Sequence, residues 1–314
     1  MMLVKKIKLK LKWAWNDFRG LFQSELKLKV KPGEIRVLCF HGICKDNDPY
    51  INGRFIKESQ LRKLLTEMKK HVHFLSTNQF EKAETDPDKL NVFLTFDDGY
   101  LNNKNLLLPI LEELQISALF FVTGQRDNLW MDLFDVADHA QLNLDEIREQ
   151  LNLPSANSKE LKRRIIESKP EKVIPIFELL RELVKPVYDD YKVYIDLLSD
   201  DDLKSLSKNA LIEIGNHTEN HFNLCLLKKE EIIREIQNCQ ERIKRVSANN
   251  KKRIAVPFAL YNSTSLECLN ELGYSSVYIN EPMAEIKGNT IDRFIINPFI
   301  STRNQLRAIN DGKY

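Results

Sequence analysis

The chain has 314 residues, 43% hydrophobic and 29% charged, an ordinary composition for a globular protein and long enough for one large α/β domain. A formal net charge of +2 argues against a nucleic-acid binder, which needs a concentrated basic surface, so no nucleic-acid partner is expected. The five cysteines, Cys39, Cys44, Cys225, Cys239 and Cys268, form no CxxC pair and fit no disulfide framework. Free thiols in a reducing, cytoplasmic compartment are the expectation. No apolar run has the length of a membrane span.

The first segment differs from everything after it. Residues 1–33 carry nine Lys or Arg against Asp17 and Glu25, a balance of +7 that leaves −5 for the remainder. Val4, Ile7, Leu11, Trp15, Phe18 and Phe22 fall on one stripe of a helix, flanked by Lys5, Lys6, Lys8 and Lys12. Residues 1–24 are therefore expected to form a basic amphipathic helix. Two destinations are open for it: an anionic membrane surface, at the inner face, or a seat on the folded domain. Pro32–Gly33 marks the boundary, which divides the chain into segment 1–33 and a domain at 34–314.

From Ile35 onward short apolar runs alternate with helical patterns. The expected strands are Ile35–Phe40, Val72–Leu75, Val92–Phe96, Ala118–Val122, Ile212–Gly215, Ile254–Pro257, Ser276–Ile279 and Phe294–Ile296. Helical patterns such as Ser59–Lys70 and Lys228–Val246 lie between them. This alternation predicts a parallel sheet closed, or nearly closed, into a barrel; an open doubly wound sheet has the same periodicity. The stretch from about 130 to 202 is charged and helical in pattern, and reads as an insertion.

Several strands end in polar residues, and in a barrel the active site lies at strand ends. The first ends in Phe40-His41-Gly42. An isolated histidine there is commonly structural, but His41 would share a rim with the groups that follow. The run Val92-Phe-Leu-Thr-Phe-Asp-Asp-Gly-Tyr100 ends in two adjacent carboxylates. Two such groups ionise together only beside a cation, which suggests one metal ligand and one general base. Downstream, Glu213-Ile-Gly-Asn-His217-Thr-Glu-Asn-His221 sets two histidines four apart after another strand. Two imidazoles and one carboxylate make the three-ligand set of a catalytic zinc site. His71 and His73 have no such company and read as solvated positions, and His139, near Asp135 and Asp138 in the helical stretch, reads as a helix-surface residue that could cluster with those acids.

These residues resemble the polysaccharide deacetylase (NodB-homology) family, carbohydrate esterase family 4. Thr95-Phe-Asp-Asp-Gly-Tyr100 matches its first motif and His217-Thr218-Glu-Asn-His221 its second, while Ala255-Val-Pro257-Phe258 stands where the third belongs. The resemblance implies a distorted (β/α) barrel and a metal-dependent N-deacetylase acting on the acetamide of an N-acetylated sugar, free or within a glycan. It implies Asp97 as base, Asp98, His217 and His221 as ligands of a divalent ion such as Zn2+, Thr218 bracing the histidine loop, and the Phe258 N–H as oxyanion donor.

Two departures stand out: Ala255 replaces the arginine usual in the third motif, and no histidine follows His221 to serve as the late acid. A permuted branch resembling poly-N-acetylglucosamine deacetylases begins instead with an aromatic-His element like Phe40-His41. His41 is then the expected acid, facing Asp97 across the metal. Tyr100, Trp130, Phe258 and Tyr261 are candidate platforms for a sugar ring, with core packing as the alternative. An amidase on another amide, or a non-catalytic glycan-binding relative, remains the competing reading.

Overall fold

The structure, a computed structural model, describes residues 10–18, 32–248, 251–280 and 290–314. Residues 10–18 are helical (α1); Val4, Ile7 and Phe22 of the expected stripe lie outside the described residues. The domain then runs β1 (Ile35–Phe40), β2 (Ile43–Cys44), β3 (Ile56–Lys57), α2 (Glu58–Lys69), β4 (Val72–Phe74), α3 (Thr77–Glu81), β5 (Leu90–Phe96), α4 (Leu108–Leu114) and β6 (Ala118–Val122). Six helices follow without a sheet strand among them: α5 (Trp130–His139), α6 (Asp145–Gln150), α7 (Ser158–Ile166), α8 (Pro170–Val184), α9 (Tyr188–Ile195) and α10 (Asp200–Leu206). The alternation resumes with β7 (Ile212–Asn216), α11 (Lys229–Val246), β8 (Arg253–Ala255), α12 (Ser263–Glu271), β9 (Ser276–Ile279), β10 (Thr290–Asp292), β11 (Phe294–Ile295) and α13 (Thr302–Asp311).

Nine strands form one parallel sheet in the order β10-β9-β8-β7-β6-β5-β1-β11, with β4 beside β5. The sheet curls into a nearly closed barrel wrapped by helices, and all eight expected strands are in it. β10, which the sequence reading did not anticipate, is short, half-exposed and polar at its end, so it lacks the apolar run that marks a buried parallel strand.

The central strands are buried on both faces, and the period of two sorts their side chains. Leu38, Phe40, Val92, Leu94, Phe96, Phe120 and Ile214 pack outward against Leu61, Leu65, Met68, Leu111 and Ile243 of the surrounding helices. Val37, Phe93, Leu119, Phe121, Ala255 and Tyr278 fill the interior. The foot of the barrel is closed by Arg253, which is wholly buried and paired with Glu81 and Glu213.

Carried two residues further, the inward rows 37-39, 93-95 and 213-215 lead to His41, Asp97 and His217 at the C-terminal rim. The β1–β5 register pairs Cys39 with Thr95 and so sets His41 beside Asp97. The helices α5 to α9 build a second core around Phe134, Val136, Ile176 and Leu180. The link between α9 and α10 reaches the rim, where Leu198 N–H donates to the Gly99 carbonyl at 2.8 Å and Leu101 N–H to the Asp196 carbonyl at 2.8 Å.

Candidate active site

β5 delivers Asp97 and Asp98 in quick succession, but to different neighbours. Asp97 keeps the strand direction, its N–H donating to the Phe40 carbonyl at 3.0 Å. Asp98 is left-handed at φ 74°, and Gly99 follows at φ 78°. A Cβ on Gly99 would lie 3.1 Å from the Val122 side chain, so the turn needs glycine for conformation and for space. The strained turn swings the Asp98 carboxylate toward the end of β7.

There Oδ1 of Asp98 lies 3.3 Å from Nε2 of both His217 and His221. Nδ1 of His217 is 2.8 Å from the Ala255 carbonyl, which only accepts, so the proton sits on Nδ1 and Nε2 presents a lone pair. All three side chains are buried, and neither Asp98 oxygen has a hydrogen-bond partner. A buried carboxylate without donors, facing an imidazole lone pair, is costly unless a cation joins them. The spacing fits one: two ligand atoms about 2.0–2.1 Å from a tetrahedral ion stand about 3.3–3.4 Å apart. Asp98, His217 and His221 therefore fit a divalent ion.

The histidine loop is held from behind. Asn216 accepts the Thr218 N–H at 2.8 Å and donates to the Ile236 carbonyl at 2.9 Å, and Glu235 accepts the Asn220 N–H at 2.8 Å. Thr218 is left-handed at φ 63° and its buried hydroxyl has no partner, so the bracing expected of Thr218 falls to Asn216 and Glu235. His221, also left-handed at φ 54°, sets its ring edge-on to Phe258 at 4.6 Å. Phe258 and Ala259, both at φ 56°, bend the chain sharply after Pro257.

Asp97 has a different setting. Arg293, between β10 and β11, grips it with two parallel bonds, Nη1 to Oδ1 at 2.7 Å and Nη2 to Oδ2 at 2.8 Å. Nη1 also donates to Thr95 Oγ1 at 3.3 Å, and Nε to Asn280 Oδ1 at 3.1 Å. Burial alone would push the Asp97 carboxyl up, but the Arg293 guanidinium, with His217 and His41 adding to it, outweighs burial and holds Asp97 below the usual carboxylate range. The sequence reading does not single Arg293 out; its one local signal is a charged pair, Asp292-Arg293, set between Ile291 and the apolar run Phe294–Ile296.

A ring nitrogen of His41 comes within 4.8 Å of an Asp97 oxygen, with Cys39 in the same group. The expectation that His41 faces Asp97 across the metal is thus corrected: the two are neighbours, because their strands pair in register. The Phe55 ring fills the space that a Cβ on Gly42 would need, and the Ile43 N–H donates to Asn102 at 2.8 Å. These contacts fix the backbone on either side of His41. Burial lowers the His41 pKa, with Arg54 and Arg293 adding to the effect and Asp98 and Asp97 opposing it.

The aromatic platforms are corrected too. Tyr100 is fully buried, edge-on to Phe55 at 5.0 Å, and its hydroxyl lies 3.0 Å from each Asp132 oxygen. Trp130 is buried in the helical core and Tyr261 in the cluster between α11 and α12. Only Phe258 is half-exposed. Beside Tyr100, Arg54 contacts Asp132 and lies 2.9 Å from Asp135, which Lys162 also contacts. Burial, with Asp98 and Asp135 adding to it and Arg54 and Lys162 opposing, pushes Asp132 up to about 7.

The sequence profile of the polysaccharide deacetylase family matches residues 84–277, more than half of the chain. No curated protein sequence matches. Among solved structures, the Streptococcus pyogenes deacetylase PplD in complex with acetate is similar with a TM-score of 0.58 at 19% identity, covering 89% of this chain and 99% of that one. IcaB from Ammonifex degensii gives 0.55 at 17%, covering 88% and 97%. The de-N-acetylase from Aggregatibacter actinomycetemcomitans gives 0.53 at 16%, covering 88% and 99%. At these identities the likeness is one of fold.

Proposed function

The chain belongs to the polysaccharide deacetylase family, and from that premise we propose that it is a divalent-metal-dependent N-deacetylase of an N-acetylated sugar within a glycan or glycan precursor. The observation that carries this reading is the pairing, on one buried rim, of a cation-shaped ligand set with a separately held carboxylate. Asp98, His217 and His221 would hold the ion, with zinc favoured by one carboxylate and two imidazoles at tetrahedral spacing. A divalent ion bound there would polarise the acetyl carbonyl and acidify a water.

The chain's own residues do the rest. Asp97, kept ionised by Arg293, takes a proton from the attacking water. His41, next to it, delivers a proton to the departing amine, without which an amide nitrogen is too poor a leaving group. The Phe258 N–H, where the left-handed bend begins, is the donor for the developing oxyanion. His41 and Phe258 are the half-exposed members of the site and border the approach of substrate.

Acetate release from a panel of soluble and lipid-linked N-acetylated glycans, with and without chelator, tests this. Release that chelator abolishes and zinc restores is expected. No release from any N-acetylated glycan, with hydrolysis of another amide, would replace the reading by that of a non-carbohydrate amidase. A folded protein that binds glycans without releasing acetate would make it a binding protein.

A further inference from the structure

The helix α1 is mounted with its polar side inward. Asn16 donates to Asn304 Oδ1 at 3.0 Å, Asn304 donates to the Trp13 carbonyl at 3.1 Å and to Asp17 Oδ1 at 2.9 Å, and Ser301 donates to Asp17 at 2.5 Å. The Trp13 ring meets Tyr314 edge-on at 6.3 Å. These bonds fasten α1 along α13, with Trp13 toward the chain end and Asp17 at the start of that helix.

What remains outside is an apolar ridge flanked by lysines. Leu11 is 64% exposed, Trp15 60% and Phe18 52%. Spaced four and three apart, they make a single ridge, with the Trp15 and Phe18 rings stacked at 5.9 Å and Lys10 and Lys12 exposed at its flanks. A docked helix in water buries its apolar stripe and exposes its polar one. Here the arrangement is reversed, and exposed apolar ridges of this kind mark contact with a partner or a lipid surface.

Charge chooses between them. The segment holding the ridge carries nine basic residues against two acidic, while the rest of the chain is net negative. A basic segment with a tryptophan-bearing apolar edge suits an anionic lipid headgroup layer, where lysines meet phosphate and the indole sits at the headgroup boundary. No helix among the described residues is long and apolar enough to cross a membrane, so such contact is peripheral. The ridge is also placed for the chemistry. Ser301, which holds Asp17, lies two residues after Phe299, which is 64% exposed and packs on Tyr50 at 5.3 Å. Residues 297–301 follow β11 at the same barrel end as the catalytic rim.

We propose that the outward face of α1, through Leu11, Trp15 and Phe18 with the surrounding lysines, docks the protein peripherally on an anionic phospholipid surface. This stands independently of the deacetylase reading. Co-sedimentation of the full chain with vesicles of phosphatidylcholine alone, or with about a third phosphatidylglycerol, tests it. Binding to the anionic vesicles at low salt is expected, falling at least tenfold in high salt as charges are screened. The exposed-face variant Leu11→Ser/Trp15→Ser/Phe18→Ser should reduce it at least tenfold as well, and its thermal unfolding should match that of the parent. No binding at low salt, or binding that the triple variant leaves unchanged, overturns the proposal. So does a concentration-dependent dimer that the triple variant abolishes, which would give the ridge to a second copy of the chain.

Discussion

Asp98, His217 and His221 come from two continuous stretches of chain, each carrying its own turn, whereas the surroundings of Asp97 are assembled from both ends of the domain. The ligand side needs only β5 and β7, with strained turns at φ 74° and 54° to aim its groups. The proton side needs His41 from the end of β1 and Arg293 from the link between β10 and β11, and both lie outside residues 84–277. Two adjacent aspartates thus acquire different chemistry from what is brought to them. One faces nitrogen lone pairs and lacks donors; the other is saturated by a guanidinium.

The sharpest test of that division is Asp98→Asn. It removes the charged ligand, so metal content and acetate release should both fall to the background of protein without added ion. A folded variant that keeps its ion and more than about a tenth of its activity would erase the distinction between the two aspartates. Asp97→Asn should behave differently. Turnover should drop by roughly 10²–10⁴-fold while metal content, measured by mass spectrometry, stays at the parent level. His41→Ala should show the same pattern at the lower end of that range. Unchanged turnover in His41→Ala would pass the proton delivery to water.

Arg293→Met sharpens the comparison from the other side. Arg293 holds the Asp97 carboxyl down, so that it stays ionised, and able to accept a proton, into acid. Without the guanidinium, burial dominates and the carboxyl titrates at higher pH. The acid limb of kcat/KM should therefore move upward, with a larger loss near pH 5 than near pH 8. Leaving that carboxylate buried and unpaired should also cost about 3–5 kcal/mol in chemical denaturation at neutral pH. An acid limb that does not move would mean that Asp97 is not the base.

The same contrast explains what was legible in the sequence. The ligand set could be read because strand, turn and donor are contiguous, and the barrel because buried parallel strands are apolar runs. Arg293 could not be read by spacing, since its contact with Asp97 depends on β11 pairing with β1 and β1 with β5. His41 was found, but its side of the site was not, because facing and adjacent positions differ only in register. In the sequence Tyr100, Trp130 and Tyr261 look like rim aromatics, because an aromatic after a strand has the same pattern whether it turns to solvent or to a buried core. That second core, from α5 to α9, claims Tyr100 and Trp130, and Arg54 had no motif to announce it.

The smallest effect is expected where this second core meets the Asp loop. The Tyr100 hydroxyl donates to Asp132, and Tyr100 is two residues from Asp98, but no catalytic step uses it. Tyr100→Phe should change turnover by less than about tenfold and cost about 1–3 kcal/mol in stability, the penalty for a buried acceptor that loses its donor. The cost should depend on pH. Asp132, raised to about 7, is ionised near pH 8 and largely protonated near pH 5. The hydroxyl stabilises the ionised form more, so the destabilisation should be larger at pH 8 and shrink as pH falls through 7. Denaturation midpoints of parent and variant across that window measure the difference. A penalty independent of pH would show that Asp132 stays in one protonation state throughout, held there by Arg54. A tenfold or greater loss of turnover with metal retained would instead make the second core part of the machinery that aims Asp98, and join the two halves of the site that the other variants separate.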